Sequence, residues 1–162
     1  MHVCYARQVT FYFAYGSNMH RAGMARRCPG ARALGVATLA GWRFVIGTHG
    51  YASIVRAPGC AVVGVLWRLT ARDVAALNAY ESLDSGLYVR CHLTVRHDGL
   101  ARSALVYVGR PSGEGRPRPG YLELVLEGAR DWQMPERYIR KLQRYAPARF
   151  SGTGAVETGQ LA

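Results

Sequence analysis

The sequence predicts an α+β fold in which antiparallel strands are flanked by helices, and a small barrel is one way to close such a sheet. Three observations lead there. Apolar runs of strand length recur along the chain, two of them joined by an Asp98-Gly99 hairpin turn. Apolar stripes at helical spacing follow separate capping and loop signals. No internal repeat and no bilayer-length apolar run competes with these.

Taken in order, Val9–Ala14 predicts the first strand, and Asn18–Arg27 a short helix ended by Pro29-Gly30. Trp42–Ile46 and Ala52–Arg56 predict a strand pair around Gly47-Thr48-His49-Gly50, and Ala61–Leu69 a separate long apolar strand. Thr70-Ala71-Arg72-Asp73 reads as a capping box with Asp in place of Glu, opening a helix to about Tyr80. Tyr88–His97 alternates, with Val89, Cys91, Leu93 and Val95 facing one way, and Ala104–Val108 is the returning strand. Arg110–Gly120 carries three prolines and predicts a flexible loop. Tyr121–Trp132 places Leu122, Val125, Ala129 and Trp132 on one helical stripe, and Pro135 suits the first turn of a last helix. The expected organisation is an extension over 1–8, one domain over 9–150 and a flexible tail over 151–162, the length being that of a single domain with a real core.

The net charge is +11, from 21 basic and 10 acidic residues, and every basic residue except Lys141 is arginine. The arginines are spread along the chain, which fits a generally basic surface and a GC-rich codon bias better than a nucleic-acid-binding segment; no specific nucleic-acid partner is expected. Such a field favours small anionic substrates. Cys4, Cys28, Cys60 and Cys91 lack metal-motif spacing, and the five histidines are scattered, so no metal is expected. The N-terminus MHVCYARQVT has no apolar signal segment; a cytoplasmic location with no membrane association is the expectation.

One carboxylate stands out by register. Glu81 lies at i+7 from Val74 and i+4 from Leu77, on the apolar face of the helix that Thr70 opens. A carboxylate there is costly unless paired, and burial raises its pKa into the range useful for proton transfer. The alternative is that the helix ends before Glu81, which then caps it or meets solvent. The stretch Tyr15-Gly16-Ser17-Asn18 closes the first strand. Gly16 permits a tight turn and close backbone approach, Ser17 or Asn18 can cap the next helix, and the amides at that turn can face an anion. It can equally be a plain capped strand-to-helix turn. A Ser17 nucleophile with His20 as its base is a third reading, weakened by the absence of a Gly-x-Ser-x-Gly elbow.

The segments FAYGSNM, GVLWRL, LNAYESLDSGLY and PGYLELVLEGARDWQMPERYIRKL, in that order from about Phe11 to Leu142, resemble the γ-glutamylcyclotransferase (AIG2-like) family. The resemblance implies a small mixed, mostly antiparallel β-barrel flanked by helices. It places the family's catalytic glutamate on Glu81 and its substrate loop on Tyr15, Gly16, Ser17 and Asn18, with Tyr88 and Tyr121 as further substrate-binding residues. It implies a γ-glutamyl small molecule as substrate, 5-oxoproline as product, no cofactor, and a possible homodimer. Asn78 stands where the family has Asp, and Ser82 where it has Gly after the glutamate. The loop Arg110–Gly120 is expected to shape the leaving-group pocket. A binder of small acidic metabolites on the same fold, without turnover, is the competing class.

Overall fold

The computed structural model describes residues 9–81 and 85–148. The expected extension over 1–8, the tail over 151–162, and Ser82 lie outside the described residues. Five strands close into a barrel in the order β1 (Thr10–Ala14), β3 (Ala52–Leu69), β2 (Arg32–Ile46), β4 (Tyr88–His97), β5 (Leu100–Gly109). All pairs are antiparallel except β5 with β1, which meet in parallel at Tyr12 and Leu105 and make the barrel mixed. The barrel closes through two short seams, β1 with β5 at Tyr12–Leu105 and β2 with β4 at Thr38–Arg96.

β2 and β3 are longer than expected. β2 begins at Arg32 rather than Trp42, because its first half is small and half exposed and carries no apolar run. β3 joins the two strands expected at Ala52–Arg56 and Ala61–Leu69 into one of 18 residues. Pro58-Gly59 does not break it: residues 57–60 bulge out opposite Gly41, and pairing resumes at Ala40 with Ala61. The alternation in β4 buries Val95 fully but leaves Val89 41% exposed, so that strand overhangs the core at its start.

The helices seal the barrel. α1 (Arg21–Arg27) follows a 3₁₀ turn at Ser17–Met19. α2 (Ala71–Tyr80) has the expected capping box: the Thr70 hydroxyl accepts from Asp73 N–H at 3.2 Å, and the Asp73 carboxylate accepts from Thr70 N–H at 2.9 Å. α3 (Tyr121–Asp131) buries Leu122, Val125 and Ala129 as its stripe predicts, and Trp132 caps it half-buried. Gly128 lets α3 lie against the 3₁₀ turn, where a Cβ would come within 3.1 Å of Met19 Cβ, and Trp132 Nε1 donates to Met19 O at 2.8 Å. Pro135 caps α4 (Glu136–Gln143) instead of starting its first turn. The loop from Arg110 to Gly120 is anchored rather than free. Gly115 N–H donates to Ile46 O, Arg118 N–H to Gly50 O, and Arg118 Nε to His49 O.

Asp73 does more than cap. It is buried, and its carboxylate also accepts from Gly30 N–H at 3.1 Å, tying the start of α2 to the turn after α1. That link holds the start of α2 beside the end of α1, whose Arg27 reaches the site below. Asp73→Ala leaves two backbone donors without their acceptor, so unfolding in urea is expected to show a loss of about 2–4 kcal/mol, against about 1 kcal/mol for Thr70→Ala. Equal losses would mean that the Gly30 contact contributes nothing.

Candidate active site

β1 ends at the mouth of the barrel, and the chain turns through Tyr15–Asn18 directly over it. Ahead of that turn the structure holds a cavity of about 200 Å³. Its lining brings together the glutamate, the loop and the two later tyrosines expected at the site: Glu81, Tyr15, Gly16, Ser17, Asn18, Tyr88 and Tyr121. Leu87, Ala52 and four further tyrosines, Tyr12, Tyr51, Tyr80 and Tyr107, complete it. No residue of the 110–120 loop is among them, contrary to the expectation that it shapes the pocket; its Arg118 lies over the ring of the lining Tyr51 at 5.1 Å.

Glu81 settles between the two sequence readings. α2 ends at Tyr80, and Glu81 is its C-cap, yet its N–H still donates to Leu77 O at 2.8 Å. The helical course therefore persists for one more residue, and the side chain stays on the inward stripe. Glu81 Oε1 accepts from Asn18 Nδ2 at 3.0 Å. Burial pushes the carboxyl up to about 7, against the pull of the Arg27 guanidinium and the Asn18 amide, which both favour its charged form.

The loop departs from the cap expected of it. Neither Ser17 nor Asn18 caps α1; His20 does, its Nδ1 accepting from Gly23 N–H at 3.2 Å. Its other ring nitrogen meets Glu127 at 3.2 Å, so the imidazole is engaged on both sides and does not serve Ser17 as a base. Asn18 is instead turned inward and buried. Its Nδ2 donates to Glu81 and, at 2.9 Å, to the Tyr12 hydroxyl, while its Oδ1 accepts from Arg27 Nη1.

The tyrosines are fixed by the backbone. Tyr15 donates to Tyr107 O, Tyr88 donates to Ala52 O at 2.8 Å, and the Tyr121 hydroxyl accepts from Ala52 N–H at 3.2 Å. Tyr107 donates to Asn78 Oδ1 at 2.7 Å, so the Asn that replaces the expected Asp still supplies an acceptor. Burial raises the phenols of Tyr12, Tyr15, Tyr88 and Tyr107 well above their ordinary value and that of Tyr121 to about 12. The wall is therefore neutral. Among the described residues, no three His, Cys, Asp or Glu side chains stand together as metal ligands would.

Tyr12 and Tyr107, which line the cavity, and Arg27, which bonds Asn18 beside it, are candidate-site residues that the sequence reading missed. Tyr12 had a readable signal: it interrupts the apolar run Phe11-Tyr12-Phe13 with a hydroxyl that needs a partner once buried. Arg27 had none, because its partners lie 9 residues back and, through the Tyr80 ring, on another helix.

A closed mixed barrel with a carboxyl and a strand-end loop sharing one small cavity is the architecture of a small-molecule site, and comparison with known proteins gives it a family. The AIG2-like family model matches residues 61–142, half of the chain, and the chain belongs to that family. The gamma-glutamylcyclotransferase of Mus musculus is 29% identical over 152 residues, covering 87% of this chain and 81% of the mouse protein. The solved structure of a gamma-glutamyl cyclotransferase superposes with a TM-score of 0.81 at 27% identity, over 90% of this chain and 92% of the other. A Homo sapiens structure matches with a TM-score of 0.80 at 28% identity, over 89% and 92%. No helix among the described residues is long and apolar enough to cross a membrane.

The site makes two predictions, one from its packing and one from its charge. Gly16 has a negative φ of −114°, and the space around its Cα is closed. A Cβ would stand 2.8 Å from the Tyr121 hydroxyl oxygen and 3.2 Å from Ala52 Cβ. Gly16→Ala is expected to lose about 1–3 kcal/mol to overpacking in urea titration. In a double-mutant cycle, adding Tyr121→Phe recovers part of that loss; independent, additive losses would show that the hydroxyl is not what the Cβ meets.

The second concerns pH. Unfolded, Glu81 releases its proton near 4.5; folded, it keeps the proton up to about 7. Between those values the folded state binds more protons, so this group's contribution to stability falls as pH rises through the window. Glu81→Gln removes that penalty. The Tm of the variant relative to wild type should therefore rise between pH 4 and pH 8, and a constant difference would mean that Glu81 ionises in the fold as it does in water.

Proposed function

We propose that the chain is a γ-glutamylcyclotransferase, acting on a γ-glutamyl amine or γ-glutamyl amino acid. The observation that carries this reading is the Glu81 carboxyl, bonded by Asn18 at 3.0 Å and set in the same cavity as the Tyr15–Asn18 loop, where burial pushes it up to about 7.

The reaction is intramolecular. The α-amine of the γ-glutamyl group attacks its own γ-carbonyl carbon, a C–N bond closes the five-membered lactam, and the bond to the leaving amine breaks. The products are 5-oxoproline and a free amine. An extended substrate keeps its two reacting ends apart, so much of the barrier is conformational; a small cavity that accepts only the folded chain supplies the proximity that ring closure exploits. The α-amine is protonated in solution and must lose a proton before it can attack. The leaving nitrogen must gain one. Glu81 serves both steps: as carboxylate it accepts the ammonium proton, and as carboxylic acid it donates that proton to the departing amine. A pKa near the working pH makes both transfers accessible.

The loop would hold the glutamyl end. Gly16 gives the backbone close approach, and Ser17 lies beside it in the lining. The phenols of Tyr15, Tyr88 and Tyr121 are neutral and locked by backbone hydrogen bonds, so they can flank the substrate without competing with Glu81 for its proton. Lactam formation is a redox-neutral acyl transfer within one molecule: the attacking nitrogen loses two protons on its way from ammonium to lactam N–H, Glu81 carries one of them to the leaving nitrogen, and the other passes to water and is matched by protonation of the released amine.

The experiment follows 5-oxoproline release from a panel of γ-glutamyl amino acids, γ-glutamyl amines and glutathione. Wild-type turnover should rise with pH through about 7, as Glu81 ionises. Glu81→Gln keeps the shape and loses the proton shuttle, so turnover should fall about 10²–10⁴-fold with the circular dichroism spectrum unchanged. A folded Glu81→Gln variant that turns over like wild type removes Glu81 from the mechanism, whereas binding of γ-glutamyl compounds with no turnover in either protein identifies a metabolite-binding member of the fold.

A further inference from the structure

Arg27 is the last residue of α1, and its side chain crosses to the far end of α2. The guanidinium lies over the Tyr80 ring, 3.8 Å from its centre, and Nη1 donates to Asn18 Oδ1. Tyr80 directly precedes Glu81, and Asn18 directly contacts it. The one guanidinium therefore touches both neighbours of the carboxyl, Tyr80 on its own helix and Asn18 in the loop opposite.

The chemistry at Asn18 gives the arrangement a purpose. A carboxamide is nearly symmetric in shape, so packing alone does not decide which end faces Glu81. With the oxygen inward, a lone pair would oppose the ionised carboxylate; with the NH₂ group inward, the amide stabilises it. A cation fixed on the Oδ1 side decides between them. We propose that Arg27 is a positioning residue for the Glu81 site, its guanidinium holding the Asn18 amide with the NH₂ group toward both Glu81 and the Tyr12 hydroxyl. This rests on Glu81 as the general base of the proposed reaction.

The surroundings make Arg27 decisive. Tyr12 of β1, Tyr107 of β5 and Tyr88 of β4 face Glu81 from the barrel wall, all held neutral by burial. Tyr15 in the loop and Tyr121 of α3 are likewise neutral. Tyr80 on α2 is covered by the guanidinium itself. Among the described residues Arg27 is the one cation that favours the ionised form of Glu81, directly and through the amide it orients.

The test reads the carboxyl with and without catalysis. A ¹³C NMR titration of side-chain-labelled glutamate, with Glu81 assigned by its disappearance in Glu81→Gln, gives the ionisation midpoint in wild type, Arg27→Gln and Arg27→Lys. The pH profile of kcat for 5-oxoproline release gives the same midpoint kinetically. Losing a nearby opposite charge raises a carboxyl by about one unit or more. In Arg27→Gln both midpoints should move up by that amount, kcat at pH 7 should fall about fivefold, in line with the smaller ionised fraction, and it should recover by pH 9 with KM little changed. Arg27→Lys keeps the charge without the planar fork, so its midpoint should fall between the two. If Arg27→Gln does not fold, the lysine variant carries the test alone, with a smaller but measurable upward shift. An unmoved NMR midpoint, or a loss of kcat equal at every pH, overturns the proposal and leaves Arg27 as a brace between α1 and α2. The readouts also separate failures: wild-type activity in Glu81→Gln refutes the base while the NMR titration still judges Arg27, and a shift-free Arg27→Gln beside an inactive Glu81→Gln refutes only Arg27.

Discussion

A single buried carboxamide, that of Asn18, holds three elements in register. Its NH₂ group serves Tyr12 on β1 and Glu81 at the end of α2, and its oxygen serves Arg27 at the end of α1. Buried polar groups left without partners cost more than the bonds themselves return, so each partner must be where it is or the amide must leave the interior. The barrel mouth, the first helix and the second helix are thereby brought to one point. Asp73 does the complementary work at the start of α2, bonding Thr70 there and Gly30 in the turn just after α1. Between these two polar anchors, α1 and α2 have little freedom to shift against each other.

The cavity that results is walled by tyrosines, and this choice of residue has a physical consequence. Phenylalanine would give an equally dry wall but could not be located by backbone hydrogen bonds; charged side chains could be located but would compete for protons. Tyr15, Tyr88 and Tyr121 each hold a backbone partner on the neighbouring strands, so the aromatic faces are presented at fixed positions. Such a wall solvates a carboxylate poorly. That is why Glu81 is raised despite a cation and an amide arranged to favour its charge. A carboxyl poised near neutrality is thus the balance of two opposed environments, and a site built this way is less stable than a site built only to pack.

Local signals in the chain were legible and distant ones were not. The capping box at Thr70, the Asp98-Gly99 turn and the alternation over Tyr88–His97 each sit within a few residues, and each appears where the sequence places it. Glu81 was legible because register with Val74 and Leu77 is also local. The first half of β2 was hidden because its pairing partner, not its own composition, makes it a strand. Pro58-Gly59 looked like the end of a strand because a bulge and a break share one vocabulary. Asn18 was misread for a related reason. Asn ahead of a helix is a good cap by local grammar, and only the fold reveals that its side chain spends its hydrogen bonds on a residue 63 positions away.

Asn78, where the resemblance implies Asp, shows how such a departure can leave a hydrogen bond intact. The Tyr107 hydroxyl needs an acceptor, and the carbonyl oxygen of Asn78 provides one at 2.7 Å. An aspartate would accept the same bond but would add a second carboxylate one helical turn before Glu81, and two nearby carboxylates titrate as a pair, with one of them driven further upward. The amide keeps the hydrogen bond and removes that coupling. With the surrounding phenols neutral, Glu81 is left as a single titrating group whose protonation answers to burial, Arg27 and Asn18 alone. The substitution therefore simplifies the electrostatics around the carboxyl while preserving the geometry that positions Tyr107 beside it.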